Sequence, residues 1–169
     1  MNTILMSSAE WTEPVGTVAP SGPASLAWLL FVVPAVAAAL LLLLGKKADG
    51  WGHWLVVASS WFSFALGVLI LIQMLQAPSS ERRFQQTLFE WIPAGSFNVQ
   101  FGLLIDPLSM TFIMLVTLVG SLIMVYSVGY MEHDPGKRRF FAYMAMFIAS
   151  MLILVVGDSY TAMFLGWEG

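Results

Sequence analysis

Long apolar runs separated by short polar breaks run the length of the chain, and their lengths are those of membrane spans. Ala24 to Leu44 is 21 residues without a charge, and at ~1.5 Å per residue a helix of that length crosses a ~30 Å hydrocarbon core. Pro34 falls inside it, where membrane helices tolerate proline, and predicts a kink. The block Gly45-Lys46-Lys47-Ala48-Asp49-Gly50 ends the span. Trp54 to Leu75 predicts a second span, opened by Trp51 and Trp54 at the depth where aromatic belts sit. Met110 to Met131 predicts a third and Phe140 to Val156 a fourth. Ser159 to Gly169 begins a fifth, and an 11-residue apolar stub is a poor ending for a membrane protein, so the chain reads as truncated there.

The loop between spans two and three has a different period. Phe97, Val99, Phe101, Leu103 and Ile105 share one parity, with Asn98, Gln100 and Gly102 between them. That is strand alternation with one buried face. Gln85 to Ile92 supplies a partner strand, and Pro93-Ala94-Gly95 has turn chemistry. Asp106-Pro107-Leu108-Ser109 follows as a helix start, with Asp106 as N-cap and Pro107 first in the helix, where its missing N–H costs nothing. The predicted fold class is an all-α integral membrane protein, a multi-spanning transmembrane helix bundle with a short external β-hairpin between spans two and three. Its divisions are an external polar leader at 1–23, transmembrane helices 1 and 2 at 24–75 and an external loop with the hairpin at 76–106. Transmembrane helices 3 and 4 occupy 107–156, and 157–169 starts helix 5.

Composition agrees and excludes several classes. Hydrophobic residues make up 59% of the 169 positions and charged ones 10%, with a mean hydropathy of +0.81. Soluble domains carry about 25% charged residues, so lipid must cover part of this chain. Seven Lys and Arg at a net charge of −3 make no patch for nucleic acid. Without cysteine, no disulfide, thiolate nucleophile or cysteine-ligated cluster is available. Met1 to Pro23 has no Lys or Arg, only Glu10 and Glu13, so it lacks the basic start of a secretory signal and is expected to stay attached. Lys46, Lys47, Lys137, Arg138 and Arg139 lie in the loops after spans one and three, against Arg82 and Arg83 on the other side. The positive-inside rule then puts the N-terminus outside and the two basic loops in the cytoplasm.

Glu168 is the acid that stands apart. If span five starts near Ser159 at the outer face, Glu168 lies about nine residues in, or ~13 Å deep, near the midplane of the core. A carboxylate there costs at least ~2.5–3.5 kcal/mol on insertion scales, which makes it functional by default. Burial raises its pKa and a nearby Lys or Arg lowers it again, so a group balanced between the two can load and release a proton. The competing reading is a solvated residue at a true chain end. Asp106 reads as a cap, and Asp158, in the turn Gly157-Asp158-Ser159, as solvated or capping. His53 and His133 fall in different cytoplasmic loops without a second ligand at metal spacing, and Glu132-His133-Asp134 reads as a solvated loop. Ser59, Ser60, Ser63, Gln73, Thr111, Thr117, Ser121, Tyr126 and Ser150 are the polar side chains within the spans, and such hydroxyls usually bond their own helix or a neighbour. Ala142, Ala145 and Ala149 make a small-residue stripe that predicts a helix–helix contact.

The segment FNVQFGLLIDPLSMTFIMLVTLVGSLIMVYSVGYM, followed by RRFFAYMAMFIASMLILVVGDSYTAMFLGWEG, resembles the start of the largest antiporter-like subunits of bacterial respiratory complex I, the L subunits of NADH–quinone oxidoreductase. The most specific parts are the Asp-x-Leu-Ser before span three, the Tyr-Met at its end, the Arg-Phe-Phe opening span four and the terminal Gly-Trp-Glu-Gly. The resemblance covers about 70 residues and the two spans before them. It implies a fold of more than a dozen transmembrane helices with two inverted five-helix repeats. It also implies that Glu168 matches the buried glutamate of helix five, which pairs with a lysine on a later, broken helix in proton translocation. No redox cofactor belongs to this chain on that reading. NADH, FMN, iron–sulfur clusters and quinone belong to partner subunits, and the partners are other membrane-arm subunits, especially the neighbouring antiporter-like one, in a bacterial inner membrane. Two features depart from the family: Pro107 stands where many relatives have glycine, and the leader is longer and more acidic. A subunit of a multi-component sodium/proton antiporter and a small non-catalytic membrane scaffold are the alternatives.

Overall fold

The computed structural model describes residues 16–78, 81–94 and 97–169, with residues 92–94 and 97–99 described by their backbone alone. Among the described residues, five α-helices and one hairpin follow in chain order. Helix α1 is Leu29–Leu44, α2 Gly52–Gln76, α3 Pro107–Tyr130, α4 Lys137–Val156 and α5 Tyr160–Glu168, with strands β1 (Phe84–Ala94) and β2 (Phe97–Ile105) between α2 and α3. Four helical segments, Gly22–Ala48, Gly52–Gln76, Pro107–Tyr130 and Lys137–Val156, are long and apolar enough to cross a membrane. The first is interrupted. A 3-10 turn at Gly22–Leu26 precedes α1, where a single helix from Ala24 is expected from the sequence. Gln73 of α2 holds this break, donating to the Ser21 carbonyl at 2.8 Å and accepting from the Ala24 N–H at 3.0 Å.

The long helices form a closed ring in which each packs on its sequence neighbours and α4 returns to α1. Ala142, Ala145 and Ala149 of α4 are buried together with Ala37, Ala38 and Leu41 of α1. Small side chains let two helices approach closely, which is how contacts form in lipid without a hydrophobic driving force. The outer faces keep large apolar side chains uncovered, among them Leu43, Leu75, Leu115, Phe147 and Phe164. Uncovered apolar surface of that extent suits lipid or partner helices rather than water. The chain is a multi-pass membrane protein.

Several hydroxyls inside the ring bond to backbone, whereas Ser121 of α3 is fully buried with no hydrogen-bond partner among the described residues. Ser59 and Ser60 donate to the Val56 carbonyl, Thr117 to Ile113, and Ser63 to its own helix at Ser59 and to Leu30 of α1. These bonds fit the expectation for hydroxyls in apolar spans.

The two ends of the ring are distinguished by their loops. At one end Arg138, in the first turn of α4, donates from Nε to Asp49 at 2.8 Å and from Nη1 to the Leu41 carbonyl at 3.3 Å. The two basic loops therefore share one side. At the other end sit the hairpin and the turn between α4 and α5, joined by Asp158 and Gly102.

The hairpin is antiparallel, running from the Phe84–Ile105 pair to the Ala94–Phe97 pair. Pro93 and Ala94 are paired strand residues, not turn residues. Gly95, the remaining residue of the expected turn, lies outside the described residues. Two register shifts leave Leu88 and Trp91 as extra residues of β1, and bulges of this kind bend and twist a strand. Phe101, Leu103 and Ile105 are buried, as the alternation predicts. The side chains of Phe97, Asn98 and Val99, which carry the rest of that pattern, lie outside the described residues. The leader also contributes: Val18 pairs in parallel with Phe84, bonding to Arg83 and Gln85. Residues 1–15 lie outside the described residues.

Candidate functional site

Helix α5 and its carboxylate are placed by three local devices. Ser159 caps the helix, its Oγ accepting from the Ala162 N–H at 3.3 Å. Ala162 and Gly166, four residues apart, form the face that meets α4. A Cβ on Gly166 would stand 2.7 Å from the Leu154 Cα, so only glycine permits this approach. A second glycine, Gly169, lies against the Ser150 side chain.

Those contacts set the level of Glu168. Ser150 is six residues before Val156, so α5 has descended about 9 Å from the end of α4 by that point. Glu168 is the last residue of α5 and lies at about the level of Ser150, within the apolar length of α4 and away from the polar loops at either end. Two positions past Gly166, it is turned by about 200° from the face on α4. It is exposed on the surface of these residues, next to the exposed Trp167. An ion pair between Arg138 and Asp49 is found among the described residues, at the opposite end of the ring.

The remaining candidates take other roles. Asp106 is the N-cap of α3, its Oδ1 accepting from the Ser109 N–H at 2.7 Å. Glu132, His133 and Asp134 are exposed, and Asp134 Oδ1 accepts from the Gly136 N–H within the loop. His53 differs from its expected place in a loop. It is the second residue of α2, buried and packed between Trp54 and Phe141 at ring separations of 5.4 and 5.9 Å. Asp158 differs too. It neither caps α5 nor stands free in solvent: its Oδ1 accepts from the Gly102 N–H at 3.1 Å, and its own N–H donates to the Gly102 carbonyl at 3.2 Å. Only the missing side chain at residue 102 hints at this in the sequence.

An apolar cavity of about 570 Å³ opens between α1, the hairpin, α4 and α5. Trp28, Phe31, Phe101, Ile153 and Leu165 are among its walls, and Glu168 is not. Phe101 anchors it, stacked on Phe89 at 5.3 Å and edge-on to Phe31 at 6.5 Å.

Residues 91–141 match the family model described as NADH-ubiquinone oxidoreductase (complex I), chain 5 N-terminus. NADH-quinone oxidoreductase subunit L of Mycobacterium tuberculosis (strain ATCC 25618 / H37Rv) is 51% identical over 142 residues, which is 84% of this chain and 22% of that protein. Subunit L of Escherichia coli (strain K12) is 46% identical over 91 residues, 54% of this chain and 15% of the relative. NADH-ubiquinone oxidoreductase chain 5 of Mycosarcoma maydis is 34% identical over 140 residues, 83% of this chain and 20% of the relative. The chain spans about a fifth of the length of the curated relatives it matches. By these matches it belongs to the family of complex I subunit L and chain 5, and corresponds to the N-terminal part.

Proposed function

We propose that this chain is the first part of a proton-translocating membrane-arm subunit of NADH–quinone oxidoreductase, and that Glu168 is one of its titrating groups. The observation that carries the reading is a carboxylate at the level of Ser150, within the apolar length of α4, in a chain of the subunit L family. Ionisable side chains within spans are costly and rare, so an acid held there serves proton movement better than packing. The chemistry it would supply is that of a carboxylate able to hand a proton to a basic side chain. The resemblance supplies that base as a lysine on a later helix. Redox chemistry stays in partner subunits, which hold NADH, FMN, iron–sulfur clusters and quinone. The neighbouring antiporter-like subunit is the closest partner, the location is the bacterial plasma membrane, and the N-terminus is outside.

Affinity purification of the tagged full-length protein from mild detergent tests the assembly. NADH–quinone reductase activity should co-purify with it. A full-length protein recovered free of that activity, with the activity in other fractions, contradicts the reading. Cysteines at Lys46 and Lys137 should be labelled only from the cytoplasm and one at Gln85 only from outside, which tests the orientation in the same cells.

A further inference from the structure

We propose that Asp158 is a positioning residue that seats α5, and so sets the level of Glu168, by latching the α4–α5 turn to the hairpin. The inference rests on the reading of Glu168 above, but the latch itself stands on separate geometry. Two hydrogen bonds join the same pair of residues: Gly102 N–H to Asp158 Oδ1 at 3.1 Å and Asp158 N–H to the Gly102 carbonyl at 3.2 Å. The adjacent residues Leu103 and Gly157 form a bridge, so the turn is held on β2 over two consecutive positions. Leu103 is buried, which anchors the strand side of the contact.

Gly102 is required by this contact and not by its own backbone. A Cβ there would fall on the Asp158 carboxylate, with Cγ only 2.6 Å away. The hairpin end of the latch is rigid. Ile105 of β2 is followed at once by Asp106, the cap of α3, and Phe101 is wedged between Phe31 and Phe89. Asp158 is followed at once by Ser159, the cap of α5. One carboxylate therefore fixes where α5 begins, and its nine residues deliver Glu168 to the level of Ser150. A loop of solvated residues in its place would leave α5 its Ala162–Gly166 contact with α4 but no tie between its first turn and the hairpin.

The seating can be read directly. A Cβ on Gly169 falls 2.9 Å from the Ser150 Cβ, closer than the roughly 3.5–4.5 Å of a disulfide, so a Ser150→Cys, Gly169→Cys pair in the full-length protein can cross-link once the chain end at residue 169 moves out by about 1 Å. Its oxidative cross-linking rate in membranes reports the position of α5 whatever Glu168 does. Asp158→Ala should slow cross-linking by about fivefold or more, and Asp158→Asn, which keeps an acceptor oxygen toward Gly102, should stay within about twofold of the parent. Gly102→Ala should slow it as well, and less so when combined with Asp158→Ala, which removes the clash. Without the cysteines, Asp158→Ala should lower protons translocated per NADH in assembled complex, with rescue by Asp158→Asn. Parent-like cross-linking in Asp158→Ala overturns the latch, as does an Asn variant as impaired as Ala. If Asp158→Ala slows cross-linking while Glu168→Gln pumps normally, the seating of α5 stands and the role of Glu168 falls.

Discussion

The Ser63 hydroxyl of α2 donates a 2.8 Å hydrogen bond to the carbonyl of Leu30 in α1, four residues before Pro34. Proline has no N–H, so the Leu30 carbonyl loses its partner within the helix. In a span, an acceptor without a partner has no water to turn to. Ser63 and Leu30 are both fully buried, and the neighbouring helix meets the need that Pro34 creates. Ser63→Ala should therefore cost about 1 kcal/mol. In a Pro34→Ala background, where residue 34 regains an N–H for Leu30, the same change should cost clearly less. Unfolding of the four variants in mixed detergent micelles measures the coupling, and strict additivity would show that the bond does not answer the proline.

Phe101 ties the hairpin to the bundle through Phe31 and to β1 through Phe89 and Trp91. It is 5% exposed. Truncating a buried Phe costs about 3–5 kcal/mol, and a charge in the same place costs more. Phe101→Asp should abolish or sharply lower the amount of assembled complex on native gels. Phe101→Leu, which keeps the apolar contact, should reduce it only slightly.

The Arg138 side chain is 20% exposed and Asp49 57%, which decides how their pair behaves. An ion pair this open to solvent contributes about 0–1 kcal/mol. Arg138 does more through Nη1, which bonds the Leu41 carbonyl in the last turn of α1, where carbonyls lack helical partners. Asp49→Ala should thus be nearly silent in thermal unfolding, and Arg138→Ala should destabilise by about 1–2 kcal/mol. Equal effects from both changes would put the weight on the ion pair.

The legible features of this chain are local ones. Asp106 caps α3 because Asp-Pro-Leu-Ser carries the whole signal in four consecutive residues. Hydropathy located four spans to within a few residues, and period-two alternation located β2 from Phe97 to Ile105. The features missed join distant segments. Asp158 and Gly102 are 56 residues apart, Ser63 and Leu30 are 33, and Arg138 and Asp49 are 89. No period or spacing in one sequence encodes such pairs. His53 was misplaced for a related reason: beside the polar Gly50–Gly52 break it reads as loop, and only the packing of Phe141 draws it inside. The bulges at Leu88 and Trp91 are set by pairing, which strand periodicity cannot register. Glu168 is singled out by its expected depth, and α5 carries it to about the level of Ser150, six residues from the end of α4.

The most direct test of the account is proton uptake by vesicles bearing the full-length subunit with Glu168→Gln, normalised to assembled complex. Glutamine keeps the size and hydrogen-bonding shape of the side chain and removes the titratable proton. Proton uptake and NADH–quinone turnover should fall together, because pumping and electron transfer are coupled in the proposed complex. NADH oxidation by an artificial acceptor, which bypasses the membrane arm, should be unchanged, and Glu168→Asp should be milder than Gln. Glu168→Gln vesicles that pump protons and reduce quinone at parental rates would contradict the claim that this acid carries protons.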